Sequence, residues 1–143
     1  MADGTPGQNH LAPQNGQPQM NADVGALITL AGAGAGTTNS VDQVNNGSRG
    51  VSVIINISAK SGTISDVVNI QTKDVGSGIY TTLLSSAALS AVATTRLVVY
   101  PTITAVANSI AQDCLGEVWR VQIVCGTGST PSTTCTIGAC LLA

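Results

Sequence analysis

The sequence contains few charged residues. They make up 8% of its 143 residues, and the formal net charge is −2, whereas about a quarter of an ordinary soluble domain is charged. The five basic residues are scattered along the chain, and a surface that binds phosphates needs clustered Lys and Arg. We therefore predict no nucleic-acid partner. A charge-poor surface promotes association, so the composition also predicts a subunit that is partly covered by other proteins.

Aromatic side chains are also rare. The chain has no Phe, and its only rings besides that of His10 belong to Trp119, Tyr80 and Tyr100. With 43% hydrophobic residues, the sequence is too apolar for a disordered protein. Its core must be built from Val, Ile, Leu and Ala. Because β-branched residues suit a pleated, half-buried surface, this composition predicts an all-β fold.

The residues that usually carry catalysis are sparse. The single histidine, His10, has no nearby partner residue, although a catalytic His needs one. The acidic residues, including Asp66, are predicted in loops or at strand ends with no close pair, so we expect them to be solvated. The glycine-rich run 32–36 lacks the Lys-Ser/Thr ending of a phosphate-binding loop. We predict no catalytic residue, no cofactor and no metal, and hence that the protein is not an enzyme.

The four cysteines have no spacing typical of a zinc site. Cys125 and Cys135 have the same inward parity on either side of one loop, so they could form a disulfide. A cytosolic origin favours thiols instead. We favour buried free cysteines that act as small hydrophobic residues.

The most informative stretch is 117–142. Apolar and polar residues alternate from Trp119 to Cys125 and again from Cys135 to Leu141, and a loop of Gly, Thr, Ser and Pro separates the two runs. This period of two indicates strands with one buried face, and the arrangement predicts a β-hairpin. The inward side chains are predicted to anchor the core: Trp119, Val121, Ile123 and Ile137.

The same plan occurs earlier in the chain. Residues 51–59 and 65–74 alternate in the same way around a Gly-Thr turn, which predicts a second hairpin. Two similar hairpins suggest two facing sheets. Further strands are predicted at 26–30, 79–84 and 96–101, so we expect an antiparallel β-sandwich of seven to nine strands over residues 24–143, either Ig-like or jelly-roll-like.

Residues 1–23 differ from the rest because they are rich in Pro and Gln and contain almost no large apolar residues. Such a segment cannot bury enough surface to offset its ordering entropy. It is either a disordered tail or an extended arm that becomes ordered against a neighbouring subunit, and we favour the arm. The arm residues predicted to bind a partner are Pro6, His10, Leu11, Pro13, Pro18 and Met20.

Residues 1–23 also lack the basic region and apolar run of a secretory signal. The longest apolar window, around 24–35, is shorter than the ~20 residues of a membrane helix. We therefore expect synthesis in a cytoplasm and no membrane association.

Several motifs, in order, resemble those of a known family. They are Ser61–Thr63, Val67–Gln71, Gly78–Leu83, Arg96–Pro101, Leu115–Val121 and Gly126–Leu142. Together they are similar to small β-sandwich capsid decoration proteins, or minor head proteins, of tailed bacteriophages. The resemblance covers roughly residues 51–142. The long arm, the four cysteines, and Cys135 at a position where an aromatic residue is expected depart from that pattern.

The resemblance implies a structural protein on the outer surface of the virion capsid, where it would brace and stabilise the shell. The implied partners are the major capsid protein and further copies of this chain, in a homotrimer made in the host cytoplasm. A second hypothesis is a virion-displayed Ig-like module that recognises a host-surface glycan through Trp119 or Tyr80, which exposure of those rings would favour. A third, a cell-wall hydrolase fragment, lacks a catalytic constellation.

Overall fold

The computed structural model describes residues 22–62 and 65–143. This part of the chain contains strands and connecting segments but no helix, so none of its residues form a helix that could span a bilayer. There are ten strands: β1 (Ala22–Ala33), β2 (Gly36–Asn39), β3 (Gln43–Val44), β4 (Gly50–Ser61), β5 (Val67–Lys73), β6 (Tyr80–Ser85), β7 (Ala93–Val99), β8 (Ile110–Ala111), β9 (Val118–Cys125) and β10 (Ser132–Leu142).

The strands form two sheets that face each other. One, the β4 sheet, has the order β1-β10-β4-β7-β8, and the other, the β9 sheet, has the order β2-β9-β5-β6, with β3 also paired to β9. All pairs are antiparallel except the short β7–β8 pair. The predicted all-β antiparallel sandwich is confirmed. The strand count exceeds the predicted seven to nine because β3 and β8, with two residues each, are included.

The strand pairing follows one long hairpin that has been folded over. Pairs β1–β10, β2–β9, β4–β7 and β5–β6 run from its open end to its tip. Wrapping this hairpin brings β10 against β4 and β9 against β5. The resulting order, β1-β10-β4-β7 facing β2-β9-β5-β6, is that of a jelly roll. Of the two topologies expected, the protein has the jelly roll.

Both predicted hairpins are wrong. Strand β4 and strand β5 lie in opposite sheets, and so do β9 and β10. After β4 and after β9, the next strand therefore lies in the other sheet and not beside its predecessor. A hairpin within one sheet and a crossing between two sheets have the same alternating pattern, because a strand in either sheet needs one apolar inward face.

The core lies between the sheets and is formed by their inward side chains. On β9 and β10 these include Trp119, Val121, Ile123 and Ile137, all fully buried. Strand β4 contributes another alternating set that ends at Ile57. Trp119 is the largest buried side chain, and its indole Nε1 is the one buried side-chain polar atom without a hydrogen-bond partner among the described residues.

Strand β4 contains a bulge near its end. Cys135 pairs with Ile57, but the preceding residue Thr134 pairs with Ala59, so β4 has one extra residue at this point. An extra residue reverses the inward and outward parity of the residues after it. Lys60 therefore pairs with the fully buried Thr133 and turns into the sandwich.

The predicted arm, with its six candidate residues Pro6, His10, Leu11, Pro13, Pro18 and Met20, lies outside the described residues except at its end. Strand β1 begins at Ala22, two residues before the predicted start of the sandwich domain.

Candidate functional site

The outer face of the β4 sheet, which points away from the core, carries an open pocket. Its volume is about 390 Å³, within the range of small-ligand and side-chain pockets. The lining is mostly apolar and comes from β7, β8, β10 and the residues that follow β7 and β10: Arg96, Val98, Tyr100, Ile103, Ile110, Leu142 and Ala143.

Tyr100 is held in place at this pocket. Its hydroxyl donates a hydrogen bond to the Ala143 carbonyl oxygen at 2.6 Å, and the Arg49 guanidinium lies 5.3 Å from its ring centre. The ring packs directly on Gly50, where a Cβ atom would lie 2.7 Å from the ring and 2.1 Å from the Val99 carbonyl oxygen. Glycine at position 50 is therefore required for this wall of the pocket.

A second hollow of about 380 Å³ lies on the same outer face. Two glycines without side chains lie in it, and a Cβ atom on Gly138 would lie 3.1 Å from the Gly25 carbonyl oxygen. Its lining residues come from β1, β4 and β10: Asp23, Gly25, Ser52, Ile54, Gly138, Ala139 and Cys140.

A hydrogen bond separates the two hollows. Arg96 lines the first and donates from Nε to the Ser52 hydroxyl, which lines the second, at 2.8 Å. Ile54, the register partner of Arg96, is 40% exposed beside this bond. The two hollows, the Arg96–Ser52 bond and Ile54 form a largely apolar surface that we call the docking face.

The outer face of the β9 sheet is different, because its polar side chains bond to one another. Gln122 joins Asn69 and Asn39 through hydrogen bonds of 2.9 Å each, and Ser85 donates to the Asn69 amide oxygen at 2.7 Å. This row crosses β2, β9, β5 and β6. Its hydrogen-bonding groups are already partnered, so the face offers few groups for a ligand.

Tyr80 belongs to the same polar face. The Arg120 guanidinium covers its ring at 3.5 Å, and its hydroxyl donates to Asp42 at 2.5 Å. Lys73 bonds the other oxygen of Asp42 at 3.0 Å. The hydrogen bond from Tyr80, followed by that from Lys73, holds the pKa of Asp42 below its ordinary value. The same ion pair raises the pKa of Lys73.

Of the two rings named for glycan recognition, one is closed to solvent and the other is half-buried. Trp119 is 0% exposed, so it cannot stack on a ligand in this fold, and Arg120 covers one face of the half-buried Tyr80 ring. Sugar-stacking aromatic residues present a free ring face, and Trp119 has none in this fold.

The prediction that all acidic residues are solvated is wrong for Asp66. This side chain is fully buried at the end of the sandwich, where it forms an ion pair of 2.6 Å with Lys60. Alternation predicts that Lys60 points outward, and the bulge in β4 turns it inward instead. The sequence signal that could have revealed the pair is a Lys six residues before an Asp across a predicted turn.

Cys125 and Cys135 are buried free thiols close to this pair. Burial raises the pKa of both thiols, and the charge of Asp66 adds to the effect. Cys114 is an exposed free thiol. Within residues 22–62 and 65–143, His, Cys, Asp and Glu form no cluster of three or more that could hold a metal ion.

Sequence reasoning missed the docking face, since it named no residue of the two hollows as functional. Comparison with known proteins adds no assignment: no family model matches the chain, and neither the curated proteins nor the solved structures include a significant match.

Proposed function

We propose that this chain is a structural virion protein that binds the outer surface of a bacteriophage capsid and stabilises the shell as a decoration or cementing protein. The observation that carries the proposal is the contrast between the two outer faces of the sandwich. On one face a row of polar side chains is bonded together across the sheet, and the other carries the docking face, which is largely apolar and recessed. Apolar recessed surfaces of this kind mark sites of protein association.

The edge of the β4 sheet is a poorer site for association than its face. The outermost long strand, β1, pairs with β10 through three register shifts, and irregular edges resist the addition of a further strand. Docking through side chains on the face leaves backbone pairing unchanged. The partner that fits is a charge-poor protein surface with protruding apolar side chains, which we assign to the major capsid protein.

Further copies of this chain are the second partner. We propose a homotrimer, in which the charge-poor surface is covered by sister subunits and residues 1–23 reach onto the capsid or a neighbouring copy. Binding to the assembled shell but not to free shell subunits would raise the stability of the shell by mass action.

The first test is the number of copies of this protein in purified particles, measured by quantitative mass spectrometry against the major shell protein. We expect one copy per shell subunit or a simple fraction of that number. A handful of copies per particle would instead indicate a tail, vertex or fibre protein, and complete absence from particles would refute a virion role.

The second test locates the binding surface with a matched pair of substitutions. Ile54 on the docking face and Val124 on the opposite outer face are 40% and 37% exposed, and both lie mid-sheet on β-strands. Shells that lack the protein are mixed with the wild type, Ile54→Lys or Val124→Lys. We expect Ile54→Lys to lose binding while Val124→Lys binds like the wild type. Equal binding of the two variants would contradict docking through the β4 sheet.

A further inference from the structure

A buried polar cluster lies where the chain crosses from β4 to β5. The Lys60 ammonium nitrogen lies 2.6 Å from Asp66 Oδ2, and the two side chains are 3% and 0% exposed. Taking two such charges out of water is costly, and their attraction often does not repay that cost in stability. The arrangement is therefore not explained simply as a means of stabilising the fold.

Both oxygens of the Asp66 carboxylate have a further partner. The Thr133 hydroxyl donates to Oδ2 at 2.8 Å and also lies 3.3 Å from Lys60 Nζ, so it bridges the two groups. The Gly126 backbone N–H donates to Oδ1 at 3.3 Å. The carboxyl group thus has an amine beside it, a hydroxyl that links this amine to one oxygen, and an N–H donor at the other oxygen.

These are the components that amide formation requires. When an amine is held against a carboxyl group in a good orientation, the effective concentration of the amine reaches roughly 10⁵–10⁸ M. A donor at the oxygen that gains negative charge stabilises the tetrahedral intermediate. A closed site also excludes the water that would reverse the reaction.

We propose that Lys60 and Asp66 form an intramolecular amide bond between Nζ and Cγ in the folded protein. One ammonium proton first passes to the carboxylate, which leaves a neutral amine facing a carboxylic acid. The Nζ lone pair then attacks Cγ, and the carbonyl electron pair moves onto Oδ1, where the Gly126 N–H stabilises it. A second proton passes from Nζ through the Thr133 hydroxyl to Oδ2. The C–Oδ2 bond breaks, one water leaves, and the carbonyl re-forms at Oδ1.

The reaction balances without any other reagent, because an ammonium and a carboxylate give an amide and water. It does not depend on the proposed function. The bond would close a covalent ring at the crossing between the two sheets and fix the end of β4 to the start of β5.

The protein contains its own control. Lys73 and Asp42 also form an ion pair, at 3.0 Å, but their side chains are 30% and 35% exposed. Solvent keeps that pair charged and hydrated, so no amide is expected there. A comparison of the two pairs separates the effect of proximity from that of the closed site.

The test is mass spectrometry of the full chain after reduction, incubated until its mass no longer changes. We expect the wild type to be lighter than its sequence mass by one water. Trypsin should then yield residues 50–73 as one peptide, since the amide blocks cleavage after Lys60. An unmodified mass would overturn the proposal. So would a water loss accompanied by normal cleavage after Lys60, which would indicate a succinimide at Asp66.

Three variants complete the experiment. Lys73→Arg should retain the water loss, and Lys60→Arg should abolish it while circular dichroism confirms the fold. Thr133→Val removes the proton relay. After the same incubation time, it should contain at least about ten-fold less of the linked peptide than the wild type. Water loss that persists in Lys60→Arg would overturn the assignment. If Lys60→Arg does not fold, the wild-type peptide decides the question by itself.

Discussion

Arg96 and Ser52 are joined by a hydrogen bond of 2.8 Å between neighbouring strands, and this bond separates the two hollows of the docking face. Ser52 is buried beneath the exposed Arg96. A hydroxyl in that position keeps a charged side chain flat against an otherwise apolar surface. The bond therefore contributes both to the stability of the sheet and to the shape that a partner would contact.

We predict that Arg96→Met and Ser52→Ala each lower the free energy of unfolding by roughly 0.5–1.5 kcal/mol, because each removes the same bond. The double variant should lose less than the sum of the two. Urea unfolding of the four proteins gives the coupling energy directly. Strict additivity would mean that the bond does not contribute to stability in solution.

Gly50 is predicted to tolerate no side chain. A Cβ atom there would overlap the Val99 carbonyl oxygen and the Tyr100 ring, so Gly50→Ala should destabilise the fold by roughly 1–3 kcal/mol or more. The matched control is Gly76→Ala, since the nearest atom to a Cβ at Gly76 is 3.8 Å away. Its effect should stay within about 0.5 kcal/mol. Similar losses in thermal unfolding for both variants would contradict the close packing at Gly50.

The cysteines should react with alkylating reagents in a fixed order. Cys114 is exposed, whereas Cys125 and Cys135 are buried and burial raises the pKa of their thiols. Since the thiolate is the reactive form, native protein should be labelled first at Cys114 and at Cys125 and Cys135 only after unfolding. Peptide mapping after timed labelling measures this. Rapid labelling of Cys135 in the native state would show that the core opens at this end.

Stability should depend on pH through the Asp42–Lys73 pair. The folded pKa of Asp42 is below 3.8, so its contribution is complete above pH 3.8 and is lost as pH falls through the folded value. The folded pKa of Lys73 is above 10.5, so its contribution is complete below pH 10.5 and is lost as pH rises further. Asp42→Asn should reduce the pH dependence of the free energy of unfolding both below pH 3.8 and above pH 10.5. Denaturant unfolding across this range tests it, and an unchanged curve would contradict the role of the pair.

Much of the fold can be predicted from alternation alone, because an inward face must be apolar wherever a strand covers the core. Trp119, Val121 and Ile123 illustrate this, since their parity in the sequence matches their burial. The pairing of strands cannot be predicted in the same way. A strand followed by a Gly-rich loop and another strand has the same pattern whether the chain turns back in one sheet or crosses to the other. The partners of β4 and β9 are set by contacts distant in sequence.

The candidate sites were harder to predict for a related reason. One extra residue in β4 reverses the direction of Lys60, and no local pattern marks that residue as a bulge. In the sequence Asp66 resembles a solvated loop residue, because Thr133 and Gly126, which bond to its carboxylate, are distant in the chain. The second hollow of the docking face depends on absent side chains, because it lies where Gly25 and Gly138 have none.

The place of β10 in the β4 sheet has a consequence for biosynthesis. This strand lies between β1 and β4, yet it comes after the nine other strands of the described residues. The ribosome therefore synthesises β1 and β4 long before the strand that joins them. The edges of β1 and β4 that later pair with β10 stay unpaired during translation. Non-local pairing of this kind folds slowly and leaves sheet edges open to wrong partners. We expect nascent chains of this protein to need protection by a chaperone until β10 emerges, after which the sandwich closes in a single late step.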